Sequence, residues 1–118
     1  MSTMEGAEVL FLNEIDNYTK QPSNHNNLIR ITGAVTSFPP GNTVGLSHLS
    51  ASIVVDLEYV AVGEMAIGSL WQFICRLCHF DNSSGHHIVF KALVARNVTG
   101  LDMTLYEAAV RMRRKFLA

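Results

Sequence analysis

No stretch of this sequence approaches the roughly eighteen consecutive apolar residues of a membrane-spanning helix, so no such span is expected. An excess of positive charge is also missing: nine Lys and Arg stand against ten Asp and Glu, for a formal net charge of −1. That weighs against a stand-alone nucleic-acid binder, which works through a basic surface, but not against a subunit that lends a few cations to a larger assembly. Cysteine is scarce, with two in 118 residues. Met1 to Leu12 carries Glu5 and Glu8 and no basic segment, so no signal peptide is expected. Reduced thiols in a cytosolic or nuclear compartment follow from that expectation. The sequons at Asn17, Asn82 and Asn97 are then accidents of composition. Internal repeats and low-complexity tracts are absent. So is a phosphate-binding loop, because Gly41 to Gly45 lacks the lysine and the spacing.

What is present suits one packed domain: 48% of residues are hydrophobic, ample for a core at this length. Residues 1–7 read as a loose tail, and Val9 to Ile15 as a strand fragment or a single turn against the body of the fold. Residues 16–27 are polar and rich in turn formers, which predicts a loop. A first strand is expected over Leu28 to Phe38, with Gly33 marking a bulge or bend. Pro39-Pro40-Gly41-Asn42 turns the chain into a second strand, Thr43 to Leu49, and a third follows over Ala51 to Leu57. Glu58 to Gly68 reads as a connector with a helical turn plugging one end. The fourth strand, Ser69 to Phe80, alternates Trp71, Phe73, Cys75 and Leu77 against Gln72, Ile74, Arg76 and Cys78. A turn over Asp81 to Gly85 leads into the fifth, His87 to Val98, where Ile88, Phe90, Ala92 and Val94 share a parity. Five strands, that connector and a terminal helix match an all-β fold with a C-terminal α-helix: the five-stranded Greek-key barrel of the OB-fold. The domain organisation expected is a tail and loop over 1–27, the barrel over 28–98 and a partner-binding helix over 99–118.

That helix, Met103 to Leu117, carries the strongest functional signal. Leu105, Ala108, Ala109, Met112 and Phe116 form one apolar stripe, and Tyr106, Val110 and Leu117 widen it to a second face. Asp102 or Thr104 can cap its start, with Thr104 and Glu107 fitting a capping box. A small barrel need not use both apolar sides, so the surplus side points to a partner.

Chemistry-bearing patterns are thin. Cys75-Arg-Leu-Cys78-His79 spells a haem-attachment motif and, with His86 and His87, a zinc site. On a strand, however, residues three apart point to opposite faces, so the two thiols diverge. A zinc-dependent enzyme or zinc-binding module built on Cys75, Cys78 and these histidines is the alternative from another class. His25 and His48 are scattered, and neither Glu58 nor Glu64 makes a recognisable acid/base pair. No catalytic group, metal or cofactor is therefore expected. For nucleic acid, Phe38, Arg76, Lys91 and Arg96 are the candidate contacts. The second and third strands carry no cation or aromatic residue before Tyr59, so intrinsic single-strand affinity should be weak.

Three blocks in order carry a family resemblance: Leu28-Ile-Arg-Ile-Thr-Gly, Ile67-Gly-Ser-Leu-Trp-Gln-Phe-Ile-Cys-Arg-Leu, and Val98-Thr-Gly-Leu-Asp-Met-Thr-Leu-Tyr-Glu-Ala-Ala-Val-Arg. Together they resemble the smallest subunit of the CST (Ctc–Stn–Ten) telomere complex. The last block also resembles the smallest subunit of replication protein A, which is the alternative within the same class. The resemblance implies a non-enzymatic nuclear protein at telomeres. Its partners would be an OB-fold subunit of the Stn type and a large subunit of the Ctc type. Single-stranded telomeric DNA and DNA polymerase α–primase would be reached through the complex, and no membrane would be involved. It further implies a partner interface of Leu101, Met103, Leu105, Tyr106, Ala109, Met112, Arg113 and Phe116, with Arg30 on the first strand. The loops between strands one and two, and four and five, show no family signature.

Overall fold

The computed structural model describes residues 6–117; of the expected tail, all but Gly6 and Ala7 lies outside the described residues. Among the described residues six strands form rather than five. They are β1 (Glu8–Val9), β2 (Leu28–Ser37), β3 (Thr43–His48), β4 (Ala51–Asp56), β5 (Leu70–Asn82) and β6 (Gly85–Asn97). A short helix α1 (Ile15–Thr19) precedes β2, and helix α2 (Met103–Leu117) ends the chain. β2 pairs antiparallel with both β3 and β5, β3 with β4, and β5 with β6. β4 meets β6 in parallel, with Val55 opposite Phe90 and Asp56 opposite Lys91. The ladder path β2-β3-β4-β6-β5 thus returns to β2. The sixth strand, β1, lies parallel to β2, with Glu8 opposite Ile29 and Val9 opposite Arg30.

Alternation decides which side chains enter the core. Ile29, Ile31 and Val35 of β2 and Trp71, Phe73, Cys75 and Leu77 of β5 are all buried, facing Val44, Leu46, Val55 and Leu57. Burial pushes the Cys75 thiol up to about 12, so it is a small inert apolar group. In β6 the expected parity breaks. The register with β5 shifts between Ile74 and Cys75, which oppose Val94 and Ala92 and leave Leu93 as an extra residue. That bulge reverses the alternation: Ala92 is buried and Ala95 packs on the core, whereas Val94 is exposed.

The plug comes from an unexpected place. The connector between β4 and β5 forms no helical turn, although Val60, Val62 and Met65 pack on the core. Instead a 3-10 turn, Leu12–Glu14, runs into α1 and buries Leu12 and Ile15, with Leu10 and Phe11 buried just before it. The segment 16–27 is therefore not wholly loop: α1 continues to Thr19, and a second 3-10 turn spans Pro22–Asn24. Alternation and 3.6-residue spacing both miss such a segment, because no regular period sustains it.

Gly33 makes no bulge; it stays in register with Trp71, and the irregularity in β2 falls between Val35 and Ser37. What Gly33 supplies is room. A Cβ there would stand 3.1 Å from Leu12 Cδ1 and 3.1 Å from the Ser47 carbonyl oxygen. The plug and β3 can close on β2 only without a side chain at this position. Gly33→Ala is expected to lower stability by about 1–3 kcal/mol through overpacking, read as a lower urea midpoint with an unchanged slope.

Candidate partner interface

Helix α2 does not cap the strands. No described side chain of α2 belongs to the hydrophobic core. The helix is held on the flank of the fold by polar side chains. Its start is capped by Asp102, whose Oδ1 accepts from Leu105 N–H at 3.1 Å. The expected Thr104–Glu107 capping box is not used, because Glu107 turns instead to His48 at the end of β3, with Nε2 and Oε1 2.5 Å apart. Tyr106 joins a row across the outer face of the sheet. Arg96 Nη2 donates to Gln72 Oε1 at 2.9 Å, Gln72 Nε2 donates to Thr32 Oγ1 at 3.1 Å, and Thr32 Oγ1 reaches Tyr106 Oη at 3.5 Å. Arg114 binds both oxygens of Glu14, at 2.9 and 2.8 Å, and the Val9 carbonyl at 2.7 Å. The guanidinium groups of Arg111 and Arg114 each lie 4.9 Å from the centre of the Phe11 ring.

The Arg114 hydrogen bond holds the Glu14 carboxyl below its ordinary value of 4.5. A group whose folded pKa is depressed contributes stability above its unfolded pKa and loses it as pH falls through the folded value. The fork is half-exposed, so its worth stays within about 1 kcal/mol. Urea midpoints of the parent and Glu14→Gln are expected to differ near neutrality and to converge as the pH falls below about 4.

These contacts use only one side of the helix. Met103, Tyr106, Glu107, Val110 and Arg114 are half-buried toward the sheet. The opposite side carries Leu105, Ala109, Met112 and Phe116 at spacings of four, three and four, one row along the helix. Leu105 is 68% exposed, Met112 59% and Phe116 75%. Leu101 is exposed at the approach to the helix, whereas the Leu117 side chain lies outside the described residues. Beside this row runs a groove between α2 and β1, lined by Arg30, Gln72, Tyr106, Ala109, Val110 and Arg113. Nε of Arg30 is buried there with no hydrogen-bond partner among the described residues. The nine residues named for the interface thus divide. Leu101, Leu105, Ala109, Met112 and Phe116 face outward, Arg30 and Arg113 line the groove, and Met103 and Tyr106 turn toward their own sheet.

Of the four residues named for nucleic acid, Arg76 and Lys91 stand opposite one another on β5 and β6. Phe38 is exposed beyond the end of β2. Arg76 donates to the Asn26 carbonyl at 2.9 Å, and Arg96 is taken by Gln72. Lys91 donates to Glu58 Oε1 at 3.0 Å and lies 3.8 Å from Asp56 Oδ2. Tyr59, not among the four, stands with its ring centre 4.9 Å from Lys91 Nζ and is exposed. The signal for it in the sequence was an aromatic residue just past a strand end. Both cysteines lie on β5, Cys75 in the core and Cys78 half-buried, and both are free. His79 stacks on His25 with ring centres 4.5 Å apart, and His87 stacks on Phe80 at 5.2 Å. The side chain of His86 lies outside the described residues.

The fold is a sheet-rich body with a C-terminal helix fastened outside it, apolar row outward. A family described as a telomere-capping CST complex subunit matches residues 3–118. The chain belongs to that family of telomere-capping CST complex subunits. It is 27% identical over 90 residues to the CST complex subunit TEN1 of Arabidopsis thaliana, covering 75% of this chain and 69% of that protein. The fold is similar to that in the Stn1–Ten1 complex of S. pombe, with a TM-score of 0.74 at 20% identity over 94% of each chain. It is similar to S. pombe Ten1 alone at 0.71, again at 20% identity, covering 92% of this chain and 98% of that one. A yeast RPA chain, in a structure bound to single-stranded DNA, overlaps at 0.54 and 20% identity over 93% of each chain.

Proposed function

We propose that this chain is the small, non-enzymatic subunit of a nuclear CST complex at telomeres, a five-stranded Greek-key OB barrel that pairs with a Stn-type subunit through α2. The observation that carries the reading is the row Leu105, Ala109, Met112 and Phe116, which the domain itself leaves in solvent. Apolar and aromatic side chains on one helix face suit a helix–helix interface of about 800 Å² per side. Arg30 and Arg113 extend that surface into the groove beside Ala109. The unpaired Nε of Arg30 suits an acceptor brought by the partner, since a buried donor left without one is unfavourable. The closed ladder path and the irregularity in β2 between Val35 and Ser37 suit the barrel assignment.

Binding to single-stranded telomeric DNA, and contact with the Ctc-type subunit and DNA polymerase α–primase, are assigned to the assembled complex. Arg76, Lys91 and Arg96 already have intramolecular partners, and carboxylates flank Lys91. A phosphate would have to displace those partners. The test is a titration of fluorescent single-stranded telomeric oligonucleotide with this chain, with a Stn-type subunit, and with the two together. The pair is expected to form one complex on size exclusion and to bind the oligonucleotide. The chain alone is expected to bind it at least about tenfold more weakly, with a shallow salt slope. Tight binding by the chain alone, or no complex with the Stn-type subunit, would overturn the reading.

A further inference from the structure

The β3–β4 hairpin closes with a two-residue loop, Leu49-Ser50, between the paired residues His48 and Ala51. Leu49 has φ of +55° and is 81% exposed. Positive φ at the first position of such a loop is the setting that glycine, asparagine or aspartate normally fills. A leucine there is unfavourable twice over: its backbone is strained, and its side chain is left in water. Neither its own hairpin nor the core gains from it, since Leu49 is no part of the packed cluster. The hairpin tip is also fixed in place. His48, the neighbouring residue, is bonded to Glu107 on the sheet-facing side of α2, so Leu49 is one residue from a contact with that helix.

We propose that Leu49 is a second anchor for the Stn-type partner, inserting into an apolar pocket on that subunit as it closes around α2. The proposal rests on the reading of α2 as the docking helix and adds the hairpin tip to it. Continuity supports this occupant: the His48–Glu107 bond ties the residue next to the tip to α2, so the tip borders the helix read as the docking element. A partner broad enough to cover the row from Leu105 to Phe116 reaches the adjoining flank. Strain retained at an exposed apolar residue is what a binding tip shows when it is optimised for the complex rather than for the free chain.

The test uses the full chain and a full-length Stn-type subunit, with affinity read by titration calorimetry and stability by thermal melting of the chain alone. Leu49→Asn suits the backbone and removes the apolar side chain. It is expected to raise the melting midpoint of the free chain by a few degrees and to weaken pairing about tenfold or more. Leu49→Met keeps an apolar side chain of similar volume and should pair within about twofold of the parent. Asparagine pairing as tightly as leucine would overturn the proposal, as would methionine pairing as poorly as asparagine. Failure of the parent chain to pair at all would strike the reading of α2 itself, and this anchor with it.

Discussion

Met112→Asp combined with Phe116→Ala is expected to abolish pairing with a Stn-type subunit while leaving the fold intact. Both residues sit on the outward row of α2, 59% and 75% exposed. Substitutions at such positions move stability by only about 0.5 kcal/mol. In a complex the same two side chains would be buried. Losing an aromatic and a thioether contact forfeits about 1.5–3 kcal/mol each, and a carboxylate placed in the interface adds a desolvation cost. Together that is about 4 kcal/mol or more, near a thousandfold in affinity. Calorimetric titration would read the affinity, and the melting midpoint of the free variant would stay within a few degrees of the parent's. Unchanged affinity would remove α2 from the interface.

The second large effect concerns the other end of the chain. A version beginning at Leu28 is expected not to fold as a monomer. Leu10, Phe11, Leu12 and Ile15 are all buried, and at about 1.5–3 kcal/mol for each side chain their loss removes roughly 6–12 kcal/mol. Whole-domain stabilities are only about 5–15 kcal/mol. The same deletion removes Glu14 and the Val9 carbonyl, the two acceptors that hold Arg114. The milder Leu12→Ala should cost about 2–5 kcal/mol and still fold. A cooperative melt of the truncated chain near the parent's midpoint would refute the assignment of this segment to the core.

These two experiments fall on either side of what sequence patterning could reach. The strands from Leu28 onward and the limits of α2 were legible because each holds a clean period over many residues: Trp71, Phe73, Cys75 and Leu77 at two, and Leu105 to Phe116 at near 3.6. The N-terminal plug was not. Its burial is built from a two-residue strand, a 3-10 turn and a one-turn helix, none long enough to show a period. Local composition around Asp16 to Asn27 also argues for loop. The reversal in β6 was hidden for a different reason: one extra residue at Leu93 changes parity without any change of composition. As for the interface, the sequence showed that α2 has two apolar sides. It could not show which side the sheet takes, since that depends on His48, Thr32 and Glu14, each distant in the chain from its contact on the helix.

That α2 adds no described side chain to the hydrophobic core has an evolutionary consequence. The residues that keep the body folded and the outward row proposed to choose its companion do not overlap, so either set can drift without disturbing the other. Lineages can then rewrite the outward row in step with a changing companion subunit while the scaffold stays fixed, and transplanting that row onto a sibling scaffold should carry the companion's preference with it.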